Sequence, residues 1–522
     1  MGEVKEARGD AADPDPLLVT LQAFIKTPNW LAAHRFVREH PVLLTDVANA
    51  RLSQLIGQAM AAGDENAIRV FTEHRDLLRR VRTVGTAAAF AEKLGMTAEE
   101  LEASLNQPDI PPQYRDDLRR AETAEQRYLT TGDRAALDEA AAASERVLND
   151  LGFPATPEQF QLAALYDAGG VFLRRYWAGG HLPDLDRALK LWEDVVARTP
   201  VNAPDRADYQ NNLGVGLRAR YERTGQPADL EQAIAAHEDA IACSPADFPN
   251  RAMRLNNLGI GLRDRYARTG RLEDLERAIA AWQDAVACTP ADSLDLAAWL
   301  NSLGVGLRDR YKRTGRADDL ERAIAAYEDA LARTPAGSPH QASRQNNLGN
   351  GLTDRYEQTG QLTDLERAIA AWEDAVVRTP ADALDRAPRL NNLGNGLRDR
   401  YARTGQLTDL ERAIAAHKDA VACTPAESPG RAMYQSNLGN GLRARYARMG
   451  QLADLTRAIE AYEDAVARTP ADAPDRAGYQ NNLGNGLRDR YARTGQLADL
   501  ARAIAAYEDA VARTPADAPD RA

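Results

Sequence analysis

Apolar positions along most of this chain return in two alternating helical stripes. In the stretch Pro339–Ala383, Leu348, Leu352 and Tyr356 follow at i, i+4 and i+8, one face of a helix. A second stripe begins after Thr359-Gly360: Leu365, Ala368, Ile369, Trp372, Ala375 and Val376. Pro339 suits a first helical turn, where its missing N–H is no loss. Gly360 is free to take the left-handed conformation that ends a helix. Asp364 and Glu366 suit the positive end of the second helix, and Pro380 stops it. The stretch therefore predicts a helical hairpin. A hairpin alone cannot bury both its faces, so stacked neighbours must complete the core.

The neighbours are the same hairpin. A Leu-Gly pair stands at Leu213-Gly214, Leu258-Gly259, Leu303-Gly304, Leu348-Gly349, Leu393-Gly394, Leu438-Gly439 and Leu483-Gly484, each step 45 residues with no insertion or deletion. A fixed period of this size marks a solenoid. The expected fold is all-α, a helical-hairpin solenoid behind an N-terminal helical region. Residues 1–14 are polar and read as disordered. Residues 15–106 read as helices without the repeat, with candidates at Leu17–Lys26, Trp30–Glu39, Leu43–Ala62 and Glu65–Arg82. Gln107–Pro112 is a break, and 107–158 holds a degenerate first repeat in which Tyr128, Gly132, Leu137 and Ala140 keep the spacing. Residues 159–518 form eight 45-residue units, the first diverged and suited to capping the array. Residues 519–522 read as the start of a truncated further repeat, so a fragment, or an end that docks on something, is expected.

The second helix carries Ala368, Trp372, Ala375 and Pro380 in one unit and Ala233, His237, Ala240 and Pro245 in another. With the Leu-Gly pair on the first helix, this spacing resembles the tetratricopeptide repeat (TPR) family, whose usual period is roughly 34 residues. The longer period here resembles a long-helix variant. The segment IKTPNWLAAHRFVREHPVLL, followed by GDENAIRVFTEHRDLLRRVR, is similar to a helical preface found ahead of bacterial TPR arrays, many of which carry a CHAT (caspase-like) protease domain. No such domain is visible in this sequence.

Composition narrows the function class. The 522 residues carry a net charge of −12, which disfavours non-specific nucleic-acid binding. No apolar run approaches the roughly 18 residues of a membrane span, and no basic-then-apolar leader opens the chain; a soluble, cytoplasmic protein without a membrane partner is expected. Cys243, Cys288 and Cys423 occupy one repeat position, filled by Arg198, Arg333, Arg378, Arg468 and Arg513 elsewhere. They are equivalent surface positions, with no disulfide framework or metal site. The Gly-x-Gly of Gly349–Gly351 lies inside a helix with no strand before it, so it is a packing device and not a phosphate loop. His237 and His417 stand in the aromatic series Trp192, Trp282, Tyr327, Trp372, Tyr462 and Tyr507 and read as packing residues. No nucleophile–base pair, carboxylate pair or metal cluster stands apart from the repeat. No enzyme, catalytic residue, cofactor or metal is expected.

A binding surface is expected on the first helices. On a wheel of about 100° per residue, Asn346, Asn350 and Asp354 fall opposite the core direction of Leu348, Leu352 and Tyr356, with Asn347 on the flank. The TPR resemblance implies that first helices line a concave surface. One column along it is Asn211, Asn256, Asn301, Asn346, Asn391 and Asn481, with Ser436 as the exception. A second is Asn212, Asn257, Asn347, Asn392, Asn437 and Asn482, with Ser302 as the exception. The last four units add Asn350, Asn395, Asn440 and Asn485, where earlier ones have Val215, Ile260 and Val305. A carboxamide offers an acceptor and two donors, so it can pair with both sides of a peptide unit. The second column also resembles the asparagine ladder of the O-GlcNAc transferase TPR superhelix. Three readings stay open: a ladder that contacts peptide, a ladder that bonds from repeat to repeat and sets the twist, and a solvated face.

The charged positions divide similarly. Arg220, Arg265, Arg310, Arg355, Arg400, Arg445 and Arg490 lie beside the core stripe, where pairing with second-helix acids such as Asp374 or Asp464 is expected. Arg263, Arg308, Arg398 and Arg488, beside Asp264, Asp309, Asp399 and Asp489, lie nearer the groove; they either read a charged partner or keep the face soluble. The function expected is an interaction scaffold that binds a peptide or protein segment in the groove. The alternatives are a sensor arm of a CHAT-type effector system and end-to-end self-association through the C-terminal end.

Overall fold

Among the described residues every regular element is helical. The structure, a computed structural model, describes residues 15–27, 30–62, 64–97, 101, 110–203, 205–245 and 250–514. The segments 1–14, expected to be disordered, and 519–522, expected to open a further repeat, lie outside them, as do residues 107–109 of the Gln107–Pro112 break. The chain divides into two compact units, Met1–Gly179 and Gly180–Ala522.

The first unit opens with helices Pro16–Ile25, Trp30–Glu39, Asp46–Ala62, Glu65–Val84 and Thr86–Leu94. They enclose Leu21, Phe24, Val37, Leu52, Leu78 and Phe90. The single helix expected over Leu43–Ala62 is interrupted. Pro41–Leu44 is a short 3-10 turn and Thr45 is extended, its hydroxyl accepting the Ala48 N–H at 3.3 Å, which is how a threonine starts a new helix. Helices Arg115–Thr131, Arg134–Leu148 and Glu158–Gly179 follow. Tyr114 stacks on Phe160 and donates its hydroxyl to Asp150 Oδ1 at 2.8 Å.

The second unit begins with Leu182–Arg198 and continues as seven hairpins. Their first helices are Arg206–Thr224, Arg251–Thr269, Leu296–Thr314, Gln341–Thr359, Arg386–Thr404, Arg431–Met449 and Arg476–Thr494. Their second helices are Pro227–Ala242, Leu272–Ala287, Ala317–Ala332, Leu362–Val377, Leu407–Cys423, Leu452–Arg468 and Leu497–Arg513. Each second helix packs on its own first helix, and all but the last described one pack on the first helix of the next hairpin.

The turn inside each hairpin is built as the Thr-Gly pair predicts. Gly360 sits at φ +70°, donates its N–H to Tyr356 O at 2.7 Å, and Thr359 Oγ1 donates back to Arg355 O at 2.9 Å. The glycine absorbs the left-handed backbone that a side chain resists. Pro339 is not in the first turn of the first helix, where its missing N–H would have suited it. That helix starts at Gln341, and Pro339 lies within a turn closed by Gln341 N–H donating to Ser338 O at 3.1 Å, a place that favours its fixed φ. Between hairpins, Arg431 Nη1 donates to Val421 O at 2.7 Å and Arg386 Nη1 to Val376 O at 2.9 Å, so an arginine opening one hairpin satisfies the helix end before it.

Candidate functional site

Two glycines bring the helices close enough for the first-helix face to be continuous. A Cβ on Gly349 would stand 2.6 Å from Trp372 Nε1, and on Gly394 2.6 Å from His417 Cε1. The first glycine of Gly-x-Gly thus receives the aromatic ring of its own hairpin. The second receives the hairpin before: a Cβ on Gly396 would lie 2.6 Å from Trp372 Cζ3, and on Gly441 3.0 Å from Ile414 Cγ1. One motif therefore seats a helix against two neighbours at once, and the reading of Gly349 as a packing glycine holds.

An ion pair pins each hairpin at its turn. Arg355 Nε donates to Asp364 Oδ2 at 2.9 Å and Nη2 to Oδ1 at 2.6 Å. The same bidentate pair recurs as Arg220–Asp229, Arg265–Asp274, Arg310–Asp319, Arg400–Asp409, Arg445–Asp454 and Arg490–Asp499. The structural role expected for these arginines is thus present, but with other partners. Asp374 and Asp464 pair instead with Arg378 and Arg468, four residues on along the same helix. The acid actually used sits in the first turn of the second helix, nine residues from the arginine, where the turn brings it back. Asp364 is 4% exposed, and a buried carboxylate of this kind depends on its partner.

The asparagines bond from repeat to repeat. Asn257 Nδ2 donates to Asn211 Oδ1 at 3.0 Å, Asn347 to Asn301 at 2.9 Å, Asn392 to Asn346 at 3.0 Å and Asn437 to Asn391 at 2.8 Å. Asn482 donates to Ser436 Oγ at 3.1 Å. Each partner lies 46 residues away, one more than the period, so the second column of one repeat meets the first column of the repeat before. At Ser302 the seam fails. Asn256 Oδ1, which would receive that bond, is buried without a partner. Charged rungs run beside the amides with the same offset. Arg218 Nε donates to Asp264 Oδ2 at 2.8 Å, Arg263 to Asp309 at 2.6 Å and Arg443 to Asp489 at 2.6 Å, and Arg308 pairs with Asp354.

With this geometry in hand, the comparison with known families is specific. A family model described as "Tetratricopeptide repeat" matches residues 296–336, one first helix and one second helix of the array. The repeat is a tetratricopeptide repeat. TPR units mediate protein–protein interactions. No curated protein matches the chain. Solved structures that resemble it include MamA, at 20% identity over 39% of this chain and 92% of that one, TM-score 0.27. BtubC (BKLC) from P. vanneervenii is 20% identical over 50% of this chain and 96% of that one, TM-score 0.32. Human IFIT1, a dimer with m7Gppp-AAAA, is 15% identical over 95% of this chain and 99% of that one, TM-score 0.42.

Three of the four third-column asparagines of this TPR array have partners. Asn350 Oδ1 accepts from Asn392 Nδ2 at 3.2 Å. Asn440 Oδ1 accepts the hydroxyl of Tyr462 at 2.9 Å and Asn485 Oδ1 that of Tyr507 at 3.0 Å. The columns are therefore not one ladder: the first two form a seam that Asn350 joins, while Asn440 and Asn485 accept tyrosine hydroxyls. First-column Asn211, Asn256 and Asn391 are buried, Asn301 and Asn346 are half-buried, and Asn481 in the last hairpin is exposed. Asn212 and the rest of the second and third columns are half-buried. His237 and His417 are buried in the core, with neither ring nitrogen hydrogen-bonded. Burial, and then the nearby Arg218 or Arg398 charge, hold each pKa down at about 4. Cys243, Cys288 and Cys423 are free thiols. Among the described residues no group of His, Cys, Asp and Glu could hold a metal ion, and no helix is long and apolar enough to cross a membrane.

Proposed function

We propose that the first-helix face of the TPR array binds an extended segment of a protein partner through its backbone. One observation carries the reading. After making the seam, Asn257, Asn347, Asn392, Asn437 and Asn482 each keep a carbonyl oxygen, and all but Asn392 keep an N–H, at half-buried positions along the first-helix face. The seam holds these amides in one orientation, so their ordering is already complete before a ligand arrives. Helices pack about 8–10 Å apart and an extended chain rises about 3.3 Å per residue, so one hairpin spans about three ligand residues. An acceptor and a donor at that interval suit a peptide backbone and carry little sequence preference.

Removing second-column asparagines would break the seam, so the third column is the better probe. Val215 and Val305 show that valine is accepted there, the second of them beside Tyr327. A random-peptide phage library is selected on the wild-type chain. Recovered peptides are then titrated against a variant carrying Asn350→Val, Asn395→Val, Asn440→Val and Asn485→Val. The reading expects enriched peptides that lose at least about tenfold in affinity, roughly the 1.4 kcal/mol of one good polar contact, while helical content is kept. Peptides bound equally well by both chains, or no enrichment, would overturn it.

A further inference from the structure

The charged rungs between successive first helices stop on both sides of one hairpin. Thr353 stands where the other rungs supply an arginine to the next repeat, so Asp399 receives none. Ala444 stands where they supply an aspartate, so Arg398 finds none. Arg398 and Asp399 are left with each other, Nη2 to Oδ1 at 3.3 Å, with side chains 32% and 37% exposed. That contact joins adjacent residues and needs no partner from another repeat. One turn earlier on the same helix, Asn395 makes no hydrogen bond to any other described residue, while Asn350, Asn440 and Asn485 each accept one. The cause is visible in the core: His417 faces this hairpin where Tyr462 and Tyr507 reach their asparagines with a hydroxyl.

We infer that the hairpin of Arg386–Thr404 is the specificity site of the first-helix face, taking a partner segment that places a carboxylate on Arg398 beside Ala444 and a lysine or arginine on Asp399 beside Thr353. The inference rests on the peptide-binding reading above. At the intact rungs a charged ligand must compete with an ion pair already made inside the protein, and its charge gains little there. Here both charges face slots that the protein leaves unfilled, and Asn395 adds an unused carboxamide between them. Burial, and after it the charge of Asp354, push the Glu357 carboxyl up, with Asp399 adding to them and Lys312 and Arg308 opposing. The two slots flank one helix, so they lie about 8–10 Å apart. On an extended chain that is about three residues.

The vacancies can be filled from within. Thr353→Arg with Ala444→Asp supplies both missing partners in the geometry the other rungs already use. The same random-peptide library is selected on the wild-type chain, and recovered peptides are titrated against this double variant, against Arg398→Ala and against the charge swap Arg398→Asp with Asp399→Arg. The wild type is expected to enrich peptides with an acid and a base about three residues apart. These peptides should lose at least about tenfold in affinity for the filled variant and for Arg398→Ala. The swap should prefer peptides with the two charges in reversed order. The filled variant should melt no lower than the wild type. Peptides that bind the filled variant within about twofold, or carry no charge pattern, would overturn this inference and leave the general reading standing. No enrichment at all would overturn both.

Discussion

His417→Tyr tests the core chemistry of the array at a single residue. The His417 ring is buried, at 0% exposure, and both its nitrogens lack partners. Its pKa falls from 6.5 to about 4, chiefly through burial. The unfolded chain therefore binds a proton that the folded chain refuses between these two values. Stability from the neutral ring is complete above about pH 6.5, falls on acidification and levels off below about pH 4. The full loss is about 3 kcal/mol; at pH 5 it is about 2 kcal/mol. His237 contributes a similar loss in its own hairpin. Tyrosine already fills this position at Tyr327, Tyr462 and Tyr507, and Asn395 stands where Asn440 accepts the Tyr462 hydroxyl at 2.9 Å. The substitution should add about 1 kcal/mol at pH 7.5 through that hydrogen bond, and about 3 kcal/mol at pH 5, where the protonation loss is removed as well. Urea unfolding at both pH values, followed by helical signal, measures the difference. An equal gain at the two pH values would refute the argument, because the ring would then not be refusing a proton in the folded state.

Three further substitutions probe the other contacts. Ser302→Asn supplies the donor that buried Asn256 Oδ1 lacks; it should raise stability by about 1 kcal/mol, and an unchanged urea midpoint would count against the seam. Gly349→Ala puts a methyl 2.6 Å from Trp372 Nε1; the overpacking should cost about 1–3 kcal/mol, read as a lower thermal midpoint, and a neutral result would show that the ring moves freely. Arg355→Ala leaves Asp364, 4% exposed, without its bidentate partner and should cost about 3–5 kcal/mol. Adding Asp364→Asn should return part of that loss in a double-mutant cycle, and simple additivity would mean the pair is not coupled.

The fold was legible because the repeat states it many times over. Leu-Gly marks the first helix, Thr-Gly the turn and the Ala–aromatic–Ala series the second helix, and each of these does in the structure what its chemistry suggests. What the hairpin wheel could not supply was the relation between hairpins. It placed Asn346 and Asp354 away from the core, yet Asn346 accepts from Asn392 and Asp354 pairs with Arg308 in the repeat before. A wheel describes one helix alone, whereas these residues face a neighbouring helix of the same kind. The signal was nevertheless present, in the columns read one position out of step: Asn347 with Asn301, Arg263 with Asp309. The Arg355–Asp364 pair was missed for a simpler reason. The expected acid was sought along the second helix, although the sharp Gly360 turn returns the chain to the arginine within nine residues. The specificity hairpin could not be seen from conserved positions at all, since it is defined by Thr353, Ala444 and His417, the places where the repeat departs from itself.

The most direct test of the central claim is to find where a ligand touches the protein. A photoreactive amino acid is placed at position 395 or 440 on the first-helix face, or at position 418 on the exposed side of a second helix. Each chain is irradiated with a peptide recovered from the library, and the adducts are mapped by mass spectrometry. Cross-links from 395 and 440, with none from 418, are the predicted result. Cross-links from 418 alone would contradict the account and move the binding surface to the second helices.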